Sequence, residues 1–176
     1  MKFLNGILGV LDKTAFAAVA ALMGGMGAIA FAAVFYRFVL LSPLRWSEEA
    51  ARYMMVWVTF LGAGYAMGRG KHIGVTLFIE KLPEKGRRAA IFAAEILILI
   101  FLVAVARQGI NLIVSLRRQT SPAMGMPMWI PYLAVPAGAV YMFLHVLRMV
   151  LTKSVRVLST ADVELDEALK KKEGIE

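Results

Sequence analysis

Charged residues are spaced unevenly along the chain, and the gaps between them predict its elements. Residues 14–36 form 23 positions without a charge, and residues 53–68 form 16. Residues 89–116 give 28 positions interrupted only by Glu95 and Arg107, and residues 120–147 give another 28 with no Asp, Glu, Lys or Arg. A helix needs about 20 apolar residues to cross roughly 30 Å of hydrocarbon. The pattern predicts an all-α membrane protein with four transmembrane helices. The second run is short, but Arg52 and Arg69 at its ends can extend their charges into water and leave their methylene stems in the bilayer. Between the second and third runs, "IGVTLFIEKLPEKGRR" is too polar to cross. Val75, Phe78, Ile79 and Leu82 recur there at helical spacing and Pro83 ends the pattern, which predicts an interfacial helix. The resulting division is an N-terminal interfacial helix at residues 1–12, a four-helix transmembrane domain at 13–152 and a cytoplasmic tail at 153–176.

Composition agrees with the pattern. The chain is 60% apolar and 18% charged, against about half and a quarter in soluble domains. Its net charge of +8 is distributed for membrane topology rather than for nucleic acid. Fourteen of the 20 lysines and arginines lie near the two termini or between the second and third runs. The other six, Arg37, Arg45, Arg52, Arg107, Arg117 and Arg118, lie toward the opposite side. The excess of basic residues on one set of segments places both termini in the cytoplasm. Trp46, Trp57 and Trp129 then fall toward the outer interface, where amphipathic rings are favoured. Having no cysteine, the chain has no disulfides, thiolate metal sites or thiol nucleophiles. The opening "MKFLNGILGVLDK" is signal-like, but Asp12 and Lys13 interrupt it and the next apolar run is too long for a signal core. That run reads as an uncleaved anchor.

Lipid provides little hydrophobic drive between helices, so small residues that allow close backbone approach mark packing faces. Ala20, Gly24, Ala28 and Ala32 form an i, i+4 row on the first helix, and Gly62 and Gly64 stand on the second. The row meets either this chain's own bundle or a second protein; both readings stay open. Four prolines, Pro122, Pro127, Pro131 and Pro136, place the start of the fourth helix between Pro127 and Pro131, with a kink at Pro136.

Chemistry-bearing groups are few. The two histidines, His72 and His145, fall at the ends of the second and fourth helices, and Glu95 lies near the start of the third. No phosphate loop, metal-ligand spacing or nucleophilic triad is present, so neither an enzyme nor a resident cofactor or metal is expected. A haem electron-transfer subunit using His72 and His145, and a small proton-coupled exporter using Glu95, are the alternatives. The spans show neither the paired broken helices nor the midplane polar groups usual in a secondary transporter. The chain reads as part of an assembly whose working site lies in another subunit.

One segment stands out against this background. In "RWSEEAARYMMVW", residues 45–57, Arg45 with Glu49 and Glu48 with Arg52 are i, i+4 pairs at the mouth of an apolar helix. This charged collar exceeds what an interfacial cap requires. The stretch resembles the signature region of the small membrane subunit of tripartite ATP-independent periplasmic (TRAP) transporters, the DctQ-like family. Trp46, Glu48, Glu49, Arg52, Tyr53, Trp57, Phe60 to Ala63, His72 and Ile73 carry the resemblance, and residues 121–138 resemble that family's outer loop and fourth helix. The resemblance implies a small permease subunit that binds no substrate itself. It would brace a large membrane transport subunit in the sodium-coupled import of an organic acid delivered by a periplasmic binding protein. Besides these two protein partners it would contact only lipid. Interface residues on this reading are Arg45, Trp46, Glu48, Glu49, Arg52, Trp57, His72, Arg117 and Arg118.

Overall fold

A computed structural model describes residues 2–69 and 84–152. The expected interfacial helix between the second and third spans, His72 and the tail from residue 153 lie outside the described residues. Helix α1 covers Lys2–Phe38, α2 Ser47–Gly68 and α3 Glu84–Leu116. Helix α4 runs over Trp129–Thr152 with an irregular turn at Leu133. The fold is all-helical among the described residues, with one isolated bridge between Thr120 and Pro127.

Three of these helices are long and apolar enough to cross a membrane: Gly6–Phe38, Ala89–Leu116 and Trp129–Thr152. The expected second crossing, α2, falls short by composition, because Gly62, Gly64 and Gly68, Tyr53 and Tyr65, Trp57 and Arg52 dilute its apolar run. Its residues pack against two neighbours. On one side α1 lies antiparallel to it, with the Phe16 and Tyr65 rings 5.5 Å apart at one end and Met54 in van der Waals reach of Gly25 further along. On the other side lies α4.

Helix α1 is continuous through residues 12 and 13, so no break separates the first dozen residues from the span. Its 37 residues extend about 55 Å at 1.5 Å each. Leu8, Ala15, Leu22 and Ile29 step by seven along its packed side, joined by Leu11, Asp12, Ala18, Val19, Gly25 and Met26. This stripe has the spacing of supercoiled helix pairs. The small-residue row is set off from it: Ala20, Gly24 and Ala28 are exposed and Ala32 is half-buried. Of the two readings of that row, packing within the chain's own bundle fails for Ala20, Gly24 and Ala28.

The centre of the molecule is α4. In the most apolar 18-residue stretch of each span, half of α4 is buried within the chain, against 11% for α3 and none for α1. Proline at 136 removes the amide that would bond the carbonyl four residues back, at Tyr132. The helix is irregular there, at Leu133, and resumes with the Ala137 amide bonding the Leu133 carbonyl at 3.2 Å. The expected start of α4 holds, since Trp129 lies between Pro127 and Pro131. Pro136 itself fits into α3 at Gly109, where a Cβ would come within 2.8 Å of its ring. Further along, Val146 packs in a buried cluster with Leu102 of α3 and Met67 of α2.

Candidate functional site

The polar groups gather at the two ends of the bundle. One end, the loop end, holds the α1–α2 turn and the 117–128 connection. The other, the terminal end, holds the first turns of α1 and the last turns of α2 and α4.

At the loop end Glu49 lies in the first turn of α2, where the helix dipole favours a carboxylate. Its side chain turns away from its own helix surface and into the proline-rich connection. It accepts hydrogen bonds from the Ser121 hydroxyl and from the backbone amides of Ala123 (3.2 Å) and Met124 (3.2 Å). The connection is shaped to present those amides. Ser121 donates its amide to Met126 at 2.8 Å and accepts from Gly125 at 2.9 Å, and Gly125 takes a φ of 65°, in the left-handed region that glycine enters without steric cost. The Ser121 hydroxyl holds the Glu49 carboxyl below the usual carboxylate range; partial desolvation opposes this, and the two amides and Arg52 reinforce it.

The geometry corrects the sequence expectation of two i, i+4 ion pairs. Glu49 turns instead to Ser121 and the loop amides. Glu49 does not reach Arg45, because three converging donors outbid one exposed guanidinium, a pairing worth only a few tenths of a kcal/mol, ~0.3–0.5. Arg45, Trp46, Glu48, Arg52, Arg117 and Arg118 are exposed around it, and Trp57 is half-buried on α2.

At the terminal end Asp12 of α1 reaches α4. One of its oxygens, Oδ1, accepts the Tyr141 hydroxyl at 2.5 Å and lies 2.9 Å from His145 Nε2. Tyr141 and His145 are themselves i, i+4 neighbours whose rings meet edge to face, 4.9 Å between centroids. Both rings lie on glycines of α2: Tyr141 on Gly64, and His145 on Gly68, where a Cβ would come within 2.5 Å of the imidazole. A second glycine contact binds the same pair of helices, Phe60 of α2 against Gly138 of α4. A Cβ at Gly62 would meet open space, so of the two expected packing glycines Gly64 alone is one among the described residues. Arg148 donates to the Gly68 carbonyl at 3.4 Å, and Arg69 donates to the Tyr65 hydroxyl at 2.5 Å while lying over its ring. Glu95 is buried on α3, a turn before Leu99 of the apolar cluster.

Sequence reasoning missed Asp12 and Tyr141 as partners and treated Asp12 only as an interruption of an apolar run. The available signal was the matched spacing: two glycines four apart on α2 and two rings four apart on α4. No group of three or more metal-ligating side chains occurs among the described residues.

The family model for the DctQ component of tripartite ATP-independent periplasmic transporters matches residues 26–156. The chain belongs to the DctQ family. It is similar to the ectoine TRAP transporter small permease protein TeaB of Halomonas elongata, with 28% identity over 173 residues, 94% of this chain and 87% of that one. It shares 30% identity over 128 residues with the C4-dicarboxylate TRAP transporter small permease protein DctQ of Rhodobacter capsulatus, covering 72% of this chain and 56% of the relative. The isethionate TRAP transporter permease protein DctMQ of Oleidesulfovibrio alaskensis is 30% identical over 168 residues, which is 89% of this chain but only 26% of that protein. The DctQ chain described here is thus a TRAP small permease subunit, a membrane protein of several apolar helices. Its family works with a large permease subunit and a substrate-binding protein.

Proposed function

We propose that this DctQ chain is the static, bracing subunit of a sodium-coupled importer of an organic acid. The observation that carries the reading is how its interior is filled. Tyr141 on Gly64, Phe60 on Gly138 and Pro136 on Gly109 fit rings into positions where a single added carbon would collide. Such contacts make a bundle that resists sliding, and a moving transport domain needs a rigid part to move against. The hydrogen-bonded carboxylates lie at the ends, fastening one element of the chain to another. A relative about four times as long, the isethionate DctMQ permease, contains a segment like this chain, which supports a large permease as the partner. Acid cargo is supported by the dicarboxylate named for the Rhodobacter relative. Sodium coupling rests on the family resemblance.

In this reading both termini face the cytoplasm of the inner membrane, and α2 is a fourth crossing, covered by α1 and α4. The loop end then faces the periplasm, where exposed Arg45, Trp46, Glu48, Arg52, Arg117 and Arg118 surround the connection held by Glu49. These residues present the face available to the large subunit and the binding protein. Glu49 serves that face indirectly, by fixing the connection.

Purification of the tagged chain in mild detergent from its own membranes tests the reading. Mass spectrometry is expected to find a much larger multi-span protein in stoichiometric amount. The reconstituted pair with its binding protein should then take up organic acid only with a sodium gradient. Recovery of this chain alone, with no larger partner cross-linked in intact membranes, would sink the bracing role.

A further inference from the structure

We infer that Asp12, Tyr141 and His145 form an acid-released latch, fastening α1 to α4 when the surrounding water is neutral and letting go when it is acidified. The inference stands on where protons can reside. Asp12 Oδ1 takes two hydrogen bonds at once, from the Tyr141 hydroxyl and from His145 Nε2. Both bonds are made together when the imidazole carries its proton on Nε2. The other ring nitrogen, Nδ1, is buried and has no hydrogen-bond partner among the described residues. The histidine side chain has no exposed surface, whereas 30% of the Asp12 side chain is exposed.

A second proton on the imidazole therefore finds no good position. On Nδ1 it becomes a buried donor without an acceptor. The charged surroundings act the same way. Arg148 of α4 bonds the Gly68 carbonyl under the imidazole ring, and Arg69 of α2 bonds Tyr65 near Tyr141. Lys13 follows Asp12 on α1 and is exposed, and Glu95 is the buried acid of α3 at this end. The three cations oppose an imidazolium; Asp12 and Glu95 are the anions against them.

The sign follows. A histidine held neutral in the closed form and free to charge in the open form makes closure complete above the ordinary imidazole value of about 6.5, with closure lost as the pH falls below it. Release frees the first turns of α1, which no other polar contact given for the described side chains ties to α4. The device is one that responds to acidification of the compartment at the terminal end.

The chain's lack of cysteine makes the test direct. Val10→Cys and Leu151→Cys, both at exposed positions of α1 and α4, carry spin labels in the full chain in lipid nanodiscs together with any subunit that purifies with it. A single narrow distance is expected at pH 7.5, with any open component at about a tenth or less. A longer, broader component should grow to more than half by pH 5.5. His145→Gln, which keeps a donor but cannot titrate there, should hold the narrow distance across the range. An unchanged distribution from pH 8 to 5, or an unaltered step in His145→Gln, overturns the latch. Should His145→Gln fail to insert, nitrogen NMR of the chain carrying His72→Gln reads the one remaining imidazole. The neutral form protonated on Nε2 is expected at pH 7.5, and either the Nδ1-protonated form or the imidazolium at that pH overturns the proposal.

Discussion

Each end of the bundle is fastened by one carboxylate, but the two are built differently. Glu49 bonds a hydroxyl and two backbone amides, and the amides are groups that any sequence supplies. What makes its site is the shape of the 121–126 turn, which depends on Gly125 and on the Ser121 bonds. Asp12 bonds two particular side chains, and each of those side chains lies on a particular glycine. The loop end is specified by backbone conformation and the terminal end by residue identity. Substitution should therefore be tolerated differently at the two ends.

The largest effect is expected at Asp12. Asp12→Ala leaves the Tyr141 hydroxyl and the His145 N–H without their acceptor. At ~1–3 kcal/mol for each of the two stranded buried groups, the loss should be about 2–6 kcal/mol, read as a lower midpoint of thermal unfolding in detergent. An unchanged midpoint would show that water replaces the carboxylate and that the end is not specified by identity. Next comes Gly64→Ala, whose methyl group collides with the Tyr141 ring; overpacking of this kind costs about 1–3 kcal/mol. Gly62→Ala is its control: it adds a methyl in open space two residues away and should cost nothing.

Glu49→Gln should be milder in overall stability, since an amide oxygen still accepts from the loop. Its expected signature is local, a faster hydrogen exchange of the Ala123 and Met124 amides. Acid should act in the same way on the unaltered chain. The Glu49 carboxyl lies below its ordinary range in the folded form, so its contribution is whole above about pH 4.3 and is lost as the pH falls through the lowered value. Exchange of those two amides from pH 6 to 3, corrected for intrinsic rates, measures it. Loss already near neutral pH would contradict the assignment.

The smallest effect lies in the α1–α2 turn. After α1 the Ser42 amide bonds back to the Tyr36 carbonyl at 3.0 Å, with Leu41 at a φ of 52° in the position where such a helix end usually has glycine. Leu41 is also 82% exposed, so its side chain packs on little of this chain. Leu41→Gly should raise stability by about 1 kcal/mol. A loss instead would show that the leucine is covered by something outside this chain.

Much of this architecture was legible in the charge gaps. The apolar runs placed α1, α3 and α4, and the prolines placed the start of α4 between residues 127 and 131. The signature stretch at 45–57 pointed to the family. Two things were hidden, for one reason. Hydropathy records how a residue prefers its surroundings, not which residue it will meet. Asp12 therefore read as an interruption, and Glu49 was paired along its own helix with Arg45 instead of across to Ser121, 72 residues away. The small-residue row on α1 was similarly ambiguous, because glycine and alanine announce a close neighbour without naming it.

The central position of α4 also bears on biosynthesis. Ribosomes add about 5–20 residues each second, so several seconds separate the first residues of α1 from those of α4. During that interval α1 and α2 can pair, since the Phe16–Tyr65 and Gly25–Met54 contacts need neither α3 nor α4. Helix α3 must wait in the lipid, because Gly109 has no Pro136 to receive and Leu102 no Val146. The arrival of residues 129–152 then joins α3 to the α1–α2 pair in one event. A nascent chain halted before Trp129 should therefore be fully inserted yet unassembled, and open to the membrane's quality-control proteases.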